Sequence, residues 1–358
     1  MIRYSRDELL EMITAEGDAQ QALHARAAAA RNLAFGTSVV VRGVIEITNL
    51  CRVNCDYCPM RRDNTRENSS YLLKPAAILS AVKDIRDAGI NVVVFQGGEI
   101  PQTTDLVCEV LPAVRALFAD RVEVLLGLGI KSEAEYRRLK ACGADTYILK
   151  HETADPELHR RIRGEALDVR TQAIRTLLRL GYRVGTGCIV GLPAQTTESL
   201  VDDIFLAHSL GVHMSSASPF VPTSETPLAD AVPGSIATTL NVVAAMRLVN
   251  PNWLIPSVSA LEQRAAGGQA AGLRAGANVI TVNFTPRHEQ PNYLIYGKTR
   301  HVVSTEHVRH QLRDAGLSPR GSVWVGAAGE ADAPHATSLP GAESVAVGQR
   351  PPMEAGER

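Results

Sequence analysis

The sequence predicts an α/β protein built on a (β/α)8 barrel of the TIM type, with a helical extension before it and a flexible tail after it. Short apolar runs typical of buried strands alternate with amphipathic helical patterns, eight times over, between about residues 41 and 315. Strands that alternate with helices pair in parallel through right-handed crossovers, and eight such units close most simply into a barrel. An open doubly wound sheet is the second interpretation.

The elements follow one another in a regular order. Residues 6–34 are predicted to form two helices, and residues 1–40 are assigned to an N-terminal helical cap. Residues 41–318 are assigned to the barrel, with strands at Val41–Thr48, Asn91–Gln96, Val122–Gly127, Asp145–Lys150, Tyr182–Val190, Val212–Phe220, Leu254–Ser257 and Asn278–Asn283. Helices are expected near 75–88, 104–118, 132–141, 168–180, 197–209, 236–249, 260–271 and 304–315. Residues 319–358 are expected to be a flexible tail, because from Gly326 onward they are rich in Ala, Gly, Pro, Ser and Glu without periodicity.

Composition narrows the class of protein. Of 358 residues, 45% are hydrophobic and 21% are charged, which is the profile of a globular, core-forming chain. A formal net charge of −1 gives no indication of a nucleic-acid or anionic-membrane partner. No apolar run reaches the ~18–20 residues of a membrane span, and the charged N-terminus does not resemble a secretory signal. We therefore expect a soluble protein of the reducing cytoplasm.

Three of the six cysteines lie within eight residues, directly after the first expected strand. Cys51, Cys55 and Cys58 have the spacing C-x3-C-x2-C, and three clustered thiolates suit a soft metal or an iron–sulfur cluster. A three-thiolate cluster leaves one iron free for an external ligand. A structural zinc loop would need a fourth ligand, and a disulfide framework fits poorly with so few cysteines. The remaining cysteines are single and scattered: Cys108, Cys142 and Cys188.

Other unusual residues also follow expected strands, which is where a TIM barrel builds its active site. Gly97-Gly98-Glu99 follows the second strand; glycine permits close backbone approach to a ligand, and a carboxylate accepts hydrogen bonds from an ammonium group. His151 and Glu152 follow the fourth strand, and Arg170 is the first cation of the next long helix. The glycine-rich fifth strand indicates close approach of a ligand or of neighbouring backbone.

The cysteine loop resembles that of the radical S-adenosylmethionine (SAM) enzymes. The order of five motifs narrows the resemblance to the branch that holds HydE, the methylornithine synthase PylB and, more distantly, biotin synthase, with HydE-like proteins as the nearest match. The matching segments are CRVNCDYCPMRRDN (51–64), KHETADPELHRRIR (150–163), GLPAQTTESLVDDI (191–204), SPFVPTSETPLAD (218–230) and GANVITVNFTP (276–286).

The resemblance implies a set of cofactor ligands. Cys51, Cys55 and Cys58 would ligate a [4Fe-4S] cluster whose open iron binds SAM, and Tyr57 would lie by the adenine. The further SAM contacts that it implies are Gly97, Gly98 and Glu99 at the amino group, Glu152 and Arg170 at the polar groups with Arg170 as carboxylate partner, and Ile189 and Leu192 beside the adenine.

The activity implied is reductive cleavage of SAM to methionine and a 5′-deoxyadenosyl radical, which acts on a small amino-acid-like or carboxylate substrate inside the barrel. A one-electron donor of the flavodoxin or ferredoxin type is implied with it. Three alternatives stay open. They are a PylB-like amino-acid rearrangement, a biotin synthase-like sulfur insertion that would need further cysteines, and a metal-binding scaffold without enzyme activity.

Several positions depart from the pattern of HydE-like proteins. Pro59-Met60 replaces a Gly-aliphatic pair, Ser257 and Ser259 stand where a Thr-Thr pair is usual, and Lys131 stands where an acid is common. Lys150 occupies a position that is commonly Arg. We interpret this as retained cofactor machinery with an altered substrate side. The polar residues expected to face the substrate from strand ends are Lys150, His151, Ser216, Ser218, Ser257, Ser259, Asn283 and Thr285.

Overall fold

Two helices precede the first strand in the computed structural model, which describes residues 3–64 and 70–325. Helix α1 spans Arg6–Thr14 and begins with a capping box between Ser5 and Glu8, and α2 spans Gly17–Phe35. Both pack against a later helix, α9 (Ile236–Val249). The Asn241 amide of α9 donates to the carbonyls of Ile13 and Ala15, which fixes the turn between α1 and α2.

Eight strands form one parallel sheet. They are β1 Ser38–Thr48, β2 Val92–Gly97, β3 Glu123–Gly127, β4 Thr146–Ile148, β5 Arg183–Val190, β6 Met214–Pro219, β7 Val279–Asn283 and β8 Ser318–Arg320. The order is β6-β5-β4-β3-β2-β1-β7, and β8 pairs with the start of β1. Every strand pair in this order is parallel.

Helices connect the strands and cover the outside of the sheet. They are α3 Pro75–Asp87, α4 Gln102–Leu117, α5 Glu133–Ala141, α6 Pro156–Arg163, α7 Leu167–Arg179, α8 Thr197–Ser209, α10 Ser259–Arg264, α11 Gly268–Arg274 and α12 Thr305–Asp314, besides α1, α2 and α9. Short 3-10 helices lie at Arg62–Asn64 and Gln290–Asn292. No helix of the described residues is both long enough and apolar enough to cross a membrane.

The sheet curls back on itself between β6 and β7. Leu254 forms a bridge with Met214 of β6, and Pro256 forms a bridge with Val279 of β7. The TIM-type barrel predicted from the sequence is confirmed. The expected seventh strand at 254–257 is present only as these isolated bridges, so the strand numbered β7 here is the eighth strand of the sequence prediction.

Strand β1 separates an inner core from an outer one by alternation of its side chains. Val41, Ile45 and Ile47 pack outward with the helices in the main hydrophobic core. Val40 and Val44 point inward and pack with residues of β2, β3, β6 and β7, so apolar side chains fill the inside of the barrel at this end. These inward-facing apolar side chains fill the barrel towards the amino ends of its strands and leave the carboxyl ends open. The functional site is therefore expected at the carboxyl ends.

The C-terminal boundary differs from the sequence prediction, which began a flexible tail at residue 319. Ser318–Arg320 pairs with β1, and the Ser322 hydroxyl donates to Glu123 at 2.6 Å. The Trp324 ring stacks under the Arg183 guanidinium. The packed chain therefore extends past 319, and the rest of the predicted tail, from residue 326, lies outside the described residues.

Candidate active site

The cysteine loop follows β1 and is held by its own polar side chains. The side-chain oxygen Oδ1 of Asn54 accepts from Arg61 Nε at 2.8 Å. The backbone N–H of Arg62 donates to the backbone carbonyl of Val53 at 2.9 Å. Cys51 and Cys58 are partly exposed, Cys55 is buried, and all three thiols are free. The loop thus presents three unpaired thiols at the carboxyl end of the first strand.

Two hydrogen-bond donors point at these thiols. The Glu99 N–H lies 3.3 Å from Cys51 Sγ, and Arg163 Nη1 lies 3.1 Å from Cys55 Sγ and 3.2 Å from the Tyr57 hydroxyl. Burial raises the pKa of the Cys55 and Cys58 thiols. Because a metal binds the thiolate form, binding of iron here would release protons, and the two donors would stabilise the sulfur charge that results.

The glycine pair after β2 allows that strand end to meet the cysteine loop. A Cβ on Gly98 would lie 2.0 Å from the Leu50 carbonyl oxygen and 2.8 Å from Cys51 Cβ, so only glycine fits. A Cβ on Gly97 would lie 2.8 Å from Thr48 Cγ2. The Glu99 carboxylate binds Arg52 at 3.0 Å and the Ile130 N–H at 2.8 Å. Glu99 therefore stabilises this turn in two ways: its N–H contacts Cys51, and its carboxylate binds Arg52 and the Ile130 N–H.

Glu152 and Arg170 are buried ionic groups with unused hydrogen-bonding capacity. Glu152 has φ +67, its Oε2 has no hydrogen-bond partner among the described residues, and the nearest cation is Lys150 Nζ at 3.4 Å. Nε and Nη1 of Arg170 have no hydrogen-bond partner there either, and Glu165 lies 3.9 Å away. Burial alone would raise the pKa of Glu152, but Lys150 and the nearby arginines outweigh it and lower the pKa.

This pair fits the amino-acid end of SAM. An unpaired carboxylate suits an ammonium group, and an unpaired guanidinium suits a carboxylate, to which it can bind through two donors. Buried polar atoms without partners are unusual in native proteins and indicate a missing ligand or water. Together with three free thiols, the donor set matches the cofactors that the sequence resemblance implied.

An apolar surface lies beside these charged groups. Ile189 and Leu192 pack with Phe220 and with two residues of α6, and Tyr57 packs on the same cluster. Such a surface suits a flat aromatic ring such as adenine. The structure thus packs Tyr57, Ile189 and Leu192, the three residues expected near the adenine, in one cluster.

A cavity of about 350 Å³ extends from the cysteine loop into the barrel. Cys58, Tyr57, Glu152 and Ile189 line it at the loop end. Of the residues expected to face a substrate, the following line it: Lys150, Ser216, Ser218, Ser257, Ser259 and Asn283.

Two predicted substrate residues do not line this cavity. His151 is 0% exposed, and its ring contacts Thr186 Oγ1 at 2.9 Å and Asp203 Oδ1 at 3.1 Å, which makes it a buried structural residue. Thr285 donates to Glu46 Oε2 at 3.1 Å and supports that carboxylate. For His151 the cause is side-chain alternation, which places Lys150 and Glu152 on the cavity side and His151 on the other. For Thr285 the cause is its hydroxyl, which also accepts from the Glu46 N–H at 2.9 Å.

Several lining groups were not predicted as site residues. Glu46 forms a buried bidentate pair with Arg300, at 2.6 and 2.7 Å, and Tyr293 packs against the same guanidinium. Arg42 also lines the cavity. Alternation along β1 places Arg42 and Glu46 on one face and gives a usable sequence signal for both, whereas Arg300 lies in an irregular segment that carries none.

Comparison with known proteins agrees with this site. Residues 45–207 match the family described as the radical SAM superfamily. The chain is 37% identical over 263 residues to the [FeFe] hydrogenase maturase subunit HydE of Thermotoga maritima, which covers 73% of this chain and 74% of that one. It is 26% identical over 282 residues to 3-methylornithine synthase of Methanosarcina acetivorans, covering 77% and 79%.

Solved structures show the same fold. The crystal structure of methylornithine synthase (PylB) superimposes with a TM-score of 0.77 at 24% identity, covering 88% of this chain and 94% of that chain. The hydrogenase maturase HydG of Carboxydothermus hydrogenoformans gives a TM-score of 0.74 at 21% identity, with 89% and 76% covered.

A parallel barrel with three free thiols at the end of its first strand, and with a buried carboxylate and guanidinium nearby, fits an enzyme class that combines a thiolate-bound cluster with an amino-acid-like cofactor. The chain belongs to the radical SAM superfamily, in the branch that contains HydE, PylB and biotin synthase. The cofactors of that family are a [4Fe-4S] cluster and SAM.

Proposed function

We propose that this radical SAM enzyme acts on a small amino-acid-like or carboxylate substrate held inside the barrel, in the manner of a HydE-like protein. The observation that carries the proposal is that Glu152 and Arg170 are buried charged residues with side-chain atoms that lack hydrogen-bond partners among the described residues, and that Glu152 lines the cavity together with Cys58 of the cysteine loop. Radical chemistry needs the cofactor and the substrate in one enclosed space, because water and stray hydrogen donors would quench it.

In this proposal, Cys51, Cys55 and Cys58 hold the cluster. When bound, the cluster and SAM supply a one-electron cleavage that yields methionine and a 5′-deoxyadenosyl radical. The N–H of Glu99 and the guanidinium of Arg163 orient two of the three sulfurs by donating to them.

SAM is oriented by charge at one end and by apolar contact at the other. Glu152 accepts from its ammonium group and Arg170 donates to its carboxylate, while Ile189 and Leu192 support the adenine. Tyr57 precedes Cys58 and packs on this apolar surface, and Arg163 donates to its hydroxyl, so Tyr57 would support the adenine beside the cluster. The substrate would contact Lys150, Ser257, Ser259 and Asn283, all of which line the cavity.

The related reactions are not equally supported. Sulfur insertion of the biotin synthase type needs a second set of sulfur ligands beside the substrate, yet among the described residues Cys58 is the one cysteine that lines the cavity. A PylB-like rearrangement keeps its place as the second candidate, because it needs only the cofactor end and a polar pocket. A metal scaffold gives no reason for the buried Glu152 and Arg170 atoms that lack hydrogen-bond partners among the described residues.

The electron donor is proposed to be a flavodoxin- or ferredoxin-type protein. Arg52 and Arg62 belong to the cysteine loop, and their side chains are 60% and 64% exposed, which suits an acidic donor surface. A reducing cytoplasm is the proposed compartment, because the three loop thiols must stay reduced to bind iron.

Anaerobic reconstitution tests the proposal. The wild-type protein is expected to bind four irons, to give a reduced-cluster EPR signal that SAM alters, and to form 5′-deoxyadenosine under dithionite. Cys51→Ala, Cys55→Ala and Cys58→Ala should each abolish these signals, whereas Cys108→Ala, at a cysteine on α4, should retain them. SAM cleavage that survives the loss of all three loop cysteines would show that the proposed site is wrong.

A further inference from the structure

Arg42 is a cation in the middle of β1 that faces the barrel interior. It shares that face with Val44 and Glu46, and all three line the cavity. Its side chain is 3% exposed and lies next to the inner apolar cluster that contains Val44 and Met214. The charged guanidinium is therefore largely shielded from water. The neighbours of Arg42 in sequence, Val41 and Gly43, face the helices outside.

The hydrogen-bonding capacity of this guanidinium is mostly unused. Its Nη2 lies 3.0 Å from Met214 Sδ, and a thioether sulfur is a weak acceptor. Its Nε has no partner, and the side chain forms no ion pair within the described parts of the chain. Burying a cation in this way is costly unless an anion compensates it.

Glu123 is the nearest candidate for internal compensation, and its oxygens are occupied. Oε1 accepts from the Thr146 hydroxyl at 2.9 Å and Oε2 accepts from the Ser322 hydroxyl at 2.6 Å. It attracts Arg42 electrostatically, but no ion pair or hydrogen bond joins the two side chains within the described residues. Arg42 is therefore left with an Nε that has no partner and an Nη2 on a weak sulfur acceptor.

The neighbourhood of Arg42 is polar on the cavity side. Thr281 of β7 is its register partner on the adjacent parallel strand, and both residues line the cavity. Arg42 precedes Glu46 by four residues, which corresponds to about 13 Å of strand rise away from the carboxyl end of the barrel. A group bound to Arg42 would thus lie at the deep end of the cavity, opposite the cysteine loop.

We propose that Arg42, with Thr281 beside it, binds the carboxylate of the substrate at the deep end of the cavity. This inference rests on the proposed function and makes it more specific. The substrate is an organic acid, and it binds with its carboxylate at the deep end of the cavity. Its other end then faces Glu152 and Cys58, where the cofactor site begins. A guanidinium in a low-dielectric cavity binds a carboxylate through charge-assisted hydrogen bonds, which are stronger there than in water.

Fluorine NMR with a minimal acid tests the inference without any turnover. The reconstituted, SAM-saturated enzyme is titrated with trifluoroacetate in the absence of reductant, so that SAM stays intact and occupies Arg170. The neutral trifluoroethanol serves as the control ligand. Wild-type protein should broaden the trifluoroacetate signal saturably, Arg42→Met should weaken that binding by about tenfold or more, and Arg42→Lys should restore part of it.

Lys298→Met is the control, because it removes a 72% exposed cation that pairs with Glu225 and does not line the cavity. This variant should keep the trifluoroacetate affinity of the wild type. Equal binding by Arg42→Met and wild type, or an equal loss of binding in Arg42→Met and Lys298→Met, would overturn the inference.

Thermal unfolding separates binding from a structural role. If Arg42 is kept for a ligand, Arg42→Met should match or exceed the wild-type midpoint, since it removes an uncompensated buried charge. A marked loss of stability would assign Arg42 to the fold and contradict the inference. Failure of the wild type to cleave SAM under dithionite would count against the proposed function alone, because trifluoroacetate binding involves no cleavage.

Discussion

Arg163 is the residue that joins the cysteine loop to the charged groups around it. It ends α6, it is buried, and its guanidinium contacts Cys55, Tyr57 and Glu165. Hydrogen bonds and positive charge near cluster sulfurs favour the reduced state, because reduction adds negative charge there. The position of Arg163 therefore gives it influence over how readily the cluster is reduced.

Arg163→Met is expected to lower the reduction potential of the cluster. Loss of one charge-assisted contact that favours the reduced state by about 1 kcal/mol corresponds to a shift of about 40 mV to more negative potential. An EPR-monitored redox titration measures it. Arg161→Met is the control, since Arg161 lies two residues earlier on the same helix and binds the Pro193 carbonyl at an exposed position. Identical potentials in the two variants would show that the contact with Cys55 is not made once the cluster is bound.

At the scale of single residues, the sequence predicted residues whose chemistry is unusual. It missed residues whose role depends on which way the side chain points. The cysteine spacing identified three thiols that the structure indeed presents together. Arg163 ends the basic sequence His-Arg-Arg-Ile-Arg at 159–163, a pattern that is equally typical of a solvated helix face. His151 was assigned to the substrate side although Glu152, next to it, is the one that lines the cavity. Ile148, Lys150 and Glu152 all line the cavity, so the side-chain alternation of β4 continues into the loop after it and places His151 on the opposite side.

At the scale of elements, the buried side chain of Asp203 on α8 holds the loop that follows β4. Asp203 Oδ1 accepts from the Ala154 N–H at 2.5 Å and contacts the His151 ring at 3.1 Å, and both atoms flank Glu152. The loop that carries Glu152 in its strained conformation is therefore fixed from behind by α8. Strain of this kind persists only where the surroundings enforce it.

Asp203→Ala is expected to destabilise the protein by about 2–4 kcal/mol, because it leaves a buried N–H and a buried imidazole without an acceptor. Asp202→Ala is the matched control: Asp202 pairs with Arg6 at the surface, where such pairs contribute about 0–1 kcal/mol. Urea unfolding of both variants measures the difference. Similar midpoints for the two would mean that the Asp203 contacts do not fix β4 to α8.

Element order could be predicted because each strand–helix unit repeats the same alternation of apolar patterns. Among the strands, two exceptions have physical reasons. Pro256 lacks an N–H, so the segment at 254–257 pairs through single bridges and not as a strand. Ser318–Arg320 is three residues long, contains no apolar residue apart from its central proline, and begins shortly after α12, so its sequence does not predict that it pairs with β1.

At the scale of the whole molecule, chemistry and stability occupy opposite ends of the barrel. The carboxyl ends of the strands carry the cysteine loop, Glu152 and Arg170. The amino ends are covered by the segment after α12, where Ser322 binds Glu123 and Trp324 packs on Arg183. Glu123 begins β3 and pairs with the first residue of β2, so this contact ties the end of the chain to the floor of the barrel. Such a division is the general rule for TIM barrels.

One pair of variants tests this division. Ser322→Ala leaves Glu123 Oε2 and the Trp324 N–H without a partner, so it should lower the free energy of unfolding by about 1–3 kcal/mol and leave SAM affinity unchanged. Glu152→Gln removes the charge proposed to bind the SAM ammonium, so it should weaken SAM binding by about tenfold or more while the free energy of unfolding shifts less than in Ser322→Ala. Thermal unfolding and equilibrium SAM binding, measured on the same reconstituted samples, give both quantities. A Ser322→Ala protein with impaired SAM binding would mean that the two ends are coupled through β1 and β3, and the division would have to be abandoned.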